Sequence, residues 1–173
     1  MIKKKKAIVA AGHEAVSGAA ALILEQGGNA FDAVVAAGFA SAVAESMLTS
    51  LGGGGFLLAR TAAAEEIFFD FFVNTPGIGL GDSLLEPHFY PIDVDFGGSA
   101  QEFNIGLGSV AVPGTLKGLL HVHERLGSMP LQEVVEPAVQ LAKGHELNQV
   151  QAYFIKILRP ILERSETGRT LYK

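Results

Sequence analysis

The chain has 173 residues, 49% of them hydrophobic and 18% charged, and its formal net charge is -5. This length and apolar content predict a globular protein with a sizeable core, and some of the apolar surface is expected to face a partner segment. The acidic balance argues against nucleic acid as a partner, and the absence of cysteine excludes disulfides, thiolate metal sites and a Cys nucleophile.

The N-terminal quarter predicts a strand followed by two helices. Residues 7–11 are expected to form a short buried strand. Residues 13–26 have a helical pattern that ends at Gly27 and Gly28, with Val16, Ala19, Ala20 and Ile23 facing inward. Asn29 is expected to cap a second helix, whose apolar stripe comprises Phe31, Val34, Val35, Phe39 and Val43.

No targeting signal or membrane span is visible in the sequence. The lysines at residues 3–6 are followed by too short an apolar run for a secretory signal. No stretch reaches the roughly 20 apolar residues that a bilayer-spanning helix needs. The cellular location is left open: the protein is expected to be cytoplasmic if this N-terminus is native and exported if it is trimmed.

The middle of the chain predicts a β-hairpin and then a long irregular segment. Four glycines at 52–55 lead into a strand at 56–59, and residues 67–72 form the second strand. Residues 73–108 are rich in Gly, Pro and Asp without sustained periodicity. A connection of this length is typical of a functional or mobile loop.

The C-terminal third predicts mainly helices. A short strand at 109–112 is ended by Pro113 and Gly114, and the helix that follows stops at Gly127. Two amphipathic helices are expected at 131–143 and 149–164, where Pro137 and Pro160 would lie near a first turn or at a kink. Residues 165–173 read as a polar tail without a closing element, which suggests that the gene product continues beyond Lys173.

Common site motifs give little support for other chemistries. The glycine run at 52–55 precedes a strand rather than a helix, and residues 77–81 lack the context of a dinucleotide-binding loop. On a helix, His121 and His123 face away from each other, so no metal site and no cofactor are expected. A carboxylate dyad stays open, whereas no nucleophile elbow surrounds the candidate serines Ser17, Ser50 and Ser99.

Three segments together resemble the γ-glutamyltransferase family. Residues 25–33 read Glu-Gln-Gly-Gly-Asn-Ala-Phe-Asp-Ala, similar to the family signature QGGNAxDA. Residues 51–56 resemble its GGGGF segment. Residues 112–115 read Val-Pro-Gly-Thr, and the pairs that follow match the pattern VPGT…GL…PA…LA in order: Gly118-Leu119, Pro137-Ala138 and Leu141-Ala142. The chain resembles the N-terminal part of the family's large subunit.

This resemblance implies an α+β fold, the αββα sandwich of N-terminal-nucleophile hydrolases, of which residues 1–173 supply a single incomplete domain. It implies a precursor that cuts itself, a small subunit whose new N-terminal Thr is the nucleophile, and a γ-glutamyl or related amide substrate. That Thr is expected downstream of Lys173. The chain alone is therefore expected to be inactive, and to be unstable or to associate through an open sheet edge.

One departure from the family pattern concerns the substrate. The family reads Asp-Phe-Arg-Glu-x-x-Pro where residues 70–76 read Asp-Phe-Phe-Val-Asn-Thr-Pro, so Phe72 replaces the Arg that pairs with the substrate α-carboxylate. Either a residue elsewhere, such as in the small subunit, supplies the positive charge, or the pocket accepts an acyl group without this carboxylate.

Phe72 and Asn74 are predicted to line the acyl pocket, the alternative being that Phe72 fills core. Two further alternatives concern the whole protein. One is a non-catalytic family member that acts as a scaffold or binding protein, and the other is an unrelated ligand-binding α/β domain.

Overall fold

The computed structural model describes residues 7–80 and 86–172. The chain divides into two units, one formed by Met1–Val73 with Pro113–Glu146 and the other by Asn74–Val112 with Leu147–Lys173. No helix among the described residues has both the length and the apolarity needed to cross a membrane.

The first unit combines four helices with one hairpin. Its elements are α1 (Glu14–Glu25), α2 (Ala30–Ala44), β1 (Phe56–Arg60), β2 (Glu66–Asp70), α3 (Thr115–Leu126) and α4 (Leu131–Ala142). The two strands are antiparallel, with Phe56 opposite Asp70 and Arg60 opposite Glu66. Helix α2 packs against α1, α3 and α4, and it therefore lies at the centre of this unit.

The second unit contains a second hairpin and two helices. The antiparallel strands are β3 (Tyr90–Asp95) and β4 (Ala100–Ile105), and the helices are α5 (Gln149–Leu162) and α6 (Glu166–Leu171). Helix α5 packs on β3, whose Val94 is fully buried.

The predicted limits and inward face of α1 are confirmed. His13 caps the helix, because its Nδ1 accepts a hydrogen bond from the backbone N–H of Ala15 at 3.1 Å. Gly27 ends it with φ of 99°, a left-handed conformation that favours glycine. All four predicted inward residues are buried: Val16, Ala19, Ala20 and Ile23.

Helix α2 is capped by Asn29 as predicted, but its buried face differs from the predicted stripe. Val35 and Phe39 are buried, whereas Val34 is exposed. Small side chains occupy much of the buried face instead, namely Ala33, Ala36, Ala40 and Ala44. Alanine allows close approach, which a helix with three helical neighbours requires.

Two predicted strands are absent. Residues 7–11 form no strand, and Ile8 is 96% exposed, because an apolar run becomes a strand only where a second strand pairs with it. Residues 109–112 contain only an isolated bridge between Val112 and Asn74, preceded by a short 3₁₀ helix at Leu107–Ser109.

Two segments are more regular than predicted. The irregular segment at 73–108 contains the β3–β4 hairpin, although its residues 81–85 lie outside the described part. The polar tail contains α6, capped by the Ser165 hydroxyl, which accepts a hydrogen bond from Gly168 N–H at 2.9 Å.

Pro137 and Pro160 lie inside α4 and α5 rather than in a first turn.

The buried carboxylate of Asp32 joins the start of α2 to the turn after α3. Its Oδ2 accepts hydrogen bonds from Asn29 N–H at 2.8 Å and from the Ser128 hydroxyl at 2.6 Å. Its Oδ1 accepts from the backbone N–H groups of Ser128 at 2.9 Å and Met129 at 3.3 Å. The Asn29 side chain also donates to the Leu126 carbonyl oxygen at 2.8 Å, so residues of the 25–33 signature connect three helices.

These hydrogen bonds determine the ionisation of Asp32. Burial by itself raises the pKa of this carboxyl, but the bonds from Ser128, Asn29 and Met129 outweigh burial and hold the pKa below its usual value. The carboxylate is therefore ionised in the folded protein at neutral pH, and its charge is compensated by these donors. His123 Nε2 lies 3.9 Å from Oδ1, beyond hydrogen-bond distance.

Asp32→Ala is expected to lower the free energy of unfolding by about 3 kcal/mol, because buried donors lose their acceptor. Urea denaturation of the intact protein measures this change. Asp93→Ala, at an exposed site on β3, is the matched control and should cost less than about 0.5 kcal/mol. Equal losses in the two variants would contradict the assigned role.

The contribution of Asp32 to the free energy of unfolding should also depend on pH. Its lowered pKa means that the ionised group adds stability above the unfolded pKa, and that this stability is lost as pH falls through the folded pKa. Asp32→Asn does not titrate. The difference in unfolding free energy between wild type and this variant should therefore narrow as pH drops below about 4. Denaturation curves at several pH values test this, and a constant difference would refute it.

Candidate active site

The backbone at Phe72 is fixed from two sides. Its N–H donates a hydrogen bond to Asp70 Oδ1 at 3.0 Å. On the other side lies Gly54, where an added Cβ would be 2.5 Å from the backbone nitrogen of Val73 and 2.9 Å from the Cα of Phe72. Only glycine permits this approach of two backbone segments. The position after β2 is therefore held by local packing.

The start of α3 packs against the same segment. The Gly53 carbonyl oxygen accepts hydrogen bonds from the N–H groups of Gly114 at 2.9 Å and Thr115 at 3.0 Å, so backbone replaces a side-chain cap. A Cβ at Gly114 would overlap the Phe71 carbonyl oxygen, and one at Gly118 would overlap the Phe71 ring. The glycine run, the end of β2 and the start of α3 thus meet at Phe71.

The hairpin has apolar side chains on both faces. Leu57, Ala59, Ile67 and Phe69 pack into the core of the first unit. On the opposite side, the apolar residues Phe56, Leu58, Phe68 and Phe72 are here called the outer face. These four side chains are 53% to 74% exposed in the described structure. The charged residues Arg60, Glu66 and Asp70 are exposed on this side as well.

Three rings of the outer face are stacked. The ring centroids of Phe56 and Phe72 are 5.2 Å apart with planes 6° apart, and those of Phe56 and Phe68 are 5.7 Å apart at 15°. Phe72 thus lies at one end of an aromatic row and is not buried in the described core. The cation–π contacts within the described residues involve Phe69 and Tyr90 instead, and no cation pairs with Phe72 there.

Asn74, the second predicted pocket residue, belongs to the second unit. Its backbone N–H donates to the Val112 carbonyl oxygen at 3.2 Å and its carbonyl oxygen accepts from Val112 N–H at 2.8 Å. Its side chain is exposed. Phe72 is in the other unit, so the grouping of these residues in one pocket stays a prediction.

The histidines of α3 have separate contacts. His121 packs edge-on against the Phe69 ring, with centroids 5.8 Å apart, whereas His123 Nε2 lies 2.9 Å from the Met129 carbonyl oxygen. Within residues 7–80 and 86–172, no three His, Cys, Asp or Glu side chains are grouped so that they could hold a metal ion.

A groove of about 730 Å³ lies between α1 and α4. Its walls are mainly small or apolar, including Ala15, Gly18, Leu22, Pro137 and Leu141. No residue of β1, β2 or the glycine run lines it. The groove therefore does not include the position at which the family pattern places the substrate carboxylate.

A family model described as gamma-glutamyltranspeptidase matches residues 16–173. The chain belongs to the gamma-glutamyltranspeptidase family. The family assignment made from the three motifs is confirmed. No curated protein matches the chain significantly.

Two solved gamma-glutamyltranspeptidases and one further transpeptidase share this fold. The enzyme from Helicobacter pylori is 29% identical with a TM-score of 0.77, covering 98% of this chain and 47% of that chain. The enzyme from Pseudomonas nitroreducens is 26% identical with a TM-score of 0.74, covering 94% and 46%. Bacillus anthracis transpeptidase CapD, at 23% identity, a TM-score of 0.72 and 95% and 48% coverage, shows the fold alone.

The chain spans about half the length of these structures. The expected α+β class is confirmed, and the chain forms part of the N-terminal-nucleophile hydrolase fold found in the gamma-glutamyltranspeptidase family.

The structure shows two features of this family member that sequence reasoning missed. Ser128 donates two hydrogen bonds to Asp32, and no local pattern indicated this pairing across 96 residues. The outer face was also missed, although a signal existed. Residues 67–72 contain little polar alternation, which is typical of strands that are buried on both faces.

Proposed function

We propose that residues 1–173 are the N-terminal portion of the large subunit of a γ-glutamyltransferase-like amide hydrolase or acyl transferase, and belong to a single domain that other segments complete. The family match over residues 16–173 is the observation on which this proposal rests. The nucleophile is the N-terminal Thr of a small subunit encoded downstream of Lys173, and the present chain alone is inactive.

In the proposed reaction the Thr hydroxyl attacks the carbonyl carbon of a γ-glutamyl or related amide. The α-amino group of the same Thr accepts the hydroxyl proton and passes it to the departing amine. The resulting acyl ester is then attacked by water, which gives hydrolysis, or by an acceptor amine, which gives transfer. The present chain contributes a wall of the acyl pocket near Phe72.

The outer face of the hairpin supports a partner from the same precursor. Exposed apolar patches of this kind commonly mark interaction surfaces. In an αββα sandwich the apolar face of one sheet packs on that of a second sheet. We assign the outer face to contact with the sheet that the small subunit completes.

Expression of the complete gene should yield two chains, of which the smaller begins with Thr, because the proposed nucleophile is created by self-cleavage. Intact mass combined with N-terminal sequencing measures this. A Thr→Ala variant at the observed cleavage site is the control and should remain one chain. A wild-type product that stays uncut would favour the non-catalytic alternative.

A second candidate function follows from Phe72. The stacked row presents an aromatic ring where the family pattern has an Arg, and a phenyl ring offers no hydrogen bond to a carboxylate. In this candidate, Phe72 and Asn74 line a pocket for an acyl group that lacks an α-carboxylate, and the protein is an amide-cleaving acylase.

Phe72→Arg should improve kcat/KM for γ-glutamyl amides relative to non-glutamyl amides by about 10- to 150-fold, the range that one charge-assisted bond provides. Kinetics of the processed enzyme on both substrate types test this. Gln101→Arg adds the same charge at an exposed site on β4, away from the outer face, and should leave the ratio unchanged. If Phe72→Arg also leaves the ratio unchanged, Phe72 does not line the acyl pocket.

A further inference from the structure

Four cationic side chains line one cavity of the second unit. This cavity, here called the basic cleft, has a volume of about 700 Å³ and is lined by Lys156, Arg159, Pro160, Glu163, Arg164 and Arg169. With one acid among four cations, its lining has a net positive charge in a chain whose net charge is -5. The basic cleft is therefore positively charged, although the chain as a whole is acidic.

Two of these guanidinium groups are held in place by contacts that leave donors free. Arg169 Nη1 donates to the carbonyl oxygens of Glu163 at 3.2 Å and Arg164 at 3.3 Å, at the end of α5. The Arg164 guanidinium lies over the Tyr90 ring, 5.3 Å from its centroid. A guanidinium has five N–H donors, and stacking uses none of them. These contacts position the arginines in the cleft in advance of any ligand.

The surroundings neutralise only part of this charge. Glu163 forms an ion pair with Arg159. The C-terminus of α5 adds the equivalent of about half a negative charge. Within residues 86–112 and 147–172, neither Lys156 nor Arg164 has a carboxylate partner. Like charges that line one cleft repel each other, and a bound anion would relieve the repulsion.

We propose that the basic cleft binds a small multivalent oxyanion, a compound with several phosphate or carboxylate groups. Guanidinium groups bind both kinds of oxyanion through paired N–H donors. The volume lies within the range of about 300–1,000 Å³ typical of small-molecule sites. The ligand is expected to carry more than one negative charge, because several cations of the basic cleft remain uncompensated. This site does not depend on the function proposed above, since none of its lining residues belongs to the β1–β2 hairpin.

Isothermal titration calorimetry on the intact protein at fixed ionic strength tests this site, with tripolyphosphate, citrate and acetate as probes. We expect saturable binding of a multivalent probe and none of acetate. Lys156→Gln/Arg159→Gln should weaken binding at least about tenfold through the loss of two charge-assisted contacts. Arg164 and Arg169 are left intact because they also support the fold.

The matched control is Arg60→Gln/Lys117→Gln, which removes the same two charge types from the first unit and should leave affinity within about twofold. Binding of both multivalent probes, lost only in the cleft variant, supports the site. Binding of tripolyphosphate alone or citrate alone supports it and identifies a phosphate or a carboxylate ligand. Absence of saturable binding, or equal weakening in both double variants, overturns the proposal.

Discussion

A carboxylate with no solvent exposure organises the first unit. Asp32 is tolerated there because two backbone segments direct their donors at it, and those segments come from the start of α2 and from the turn that joins α3 to α4. The neighbouring glycines fit this arrangement. A Cβ at Gly127 would lie 2.9 Å from Asp32 Oδ1, and one at Gly28 would lie 2.6 Å from Met129 Sδ. The signature residues Gly28, Asn29 and Asp32 thus hold helices together.

Helix α3 connects the Asp32 carboxylate to the end of the β1–β2 hairpin. Helix α3 has its C-terminal end at the Asp32 cluster and its N-terminal end at the glycine run, where Gly53 caps it and Phe71 packs on Gly118. The helix has 12 residues and about 18 Å of length at 1.5 Å per residue. This helix links the signature at 25–33 to the glycine run at 52–55. It also packs against Phe71, which directly follows β2.

The sequence predicted features that depend on neighbouring residues. The cap at Asn29, the stop at Gly27 and the inward face of α1 all follow from local geometry. Errors arose where a distant partner decides the outcome. Residues 7–11 are apolar but find no strand to pair with. The β3–β4 hairpin, by contrast, had a local signal that the loop prediction passed over, the alternation of Tyr90, Ile92 and Val94 with Pro91, Asp93 and Asp95. In the candidate site, the family pattern drew attention to Phe72, but its stacking on Phe56 depends on strand register and was not predictable from composition.

The two phenylalanines that follow β2, Phe71 and Phe72, pack on different sides of the chain. Phe71 faces α3 and fills the space that two glycines leave open, while the Phe72 ring lies on the opposite side and stacks on Phe56. Packing and surface chemistry are thereby assigned to adjacent positions. A substitution at position 72 is therefore expected to change the chemistry of the outer face while the packing of Phe71 on α3 stays the same.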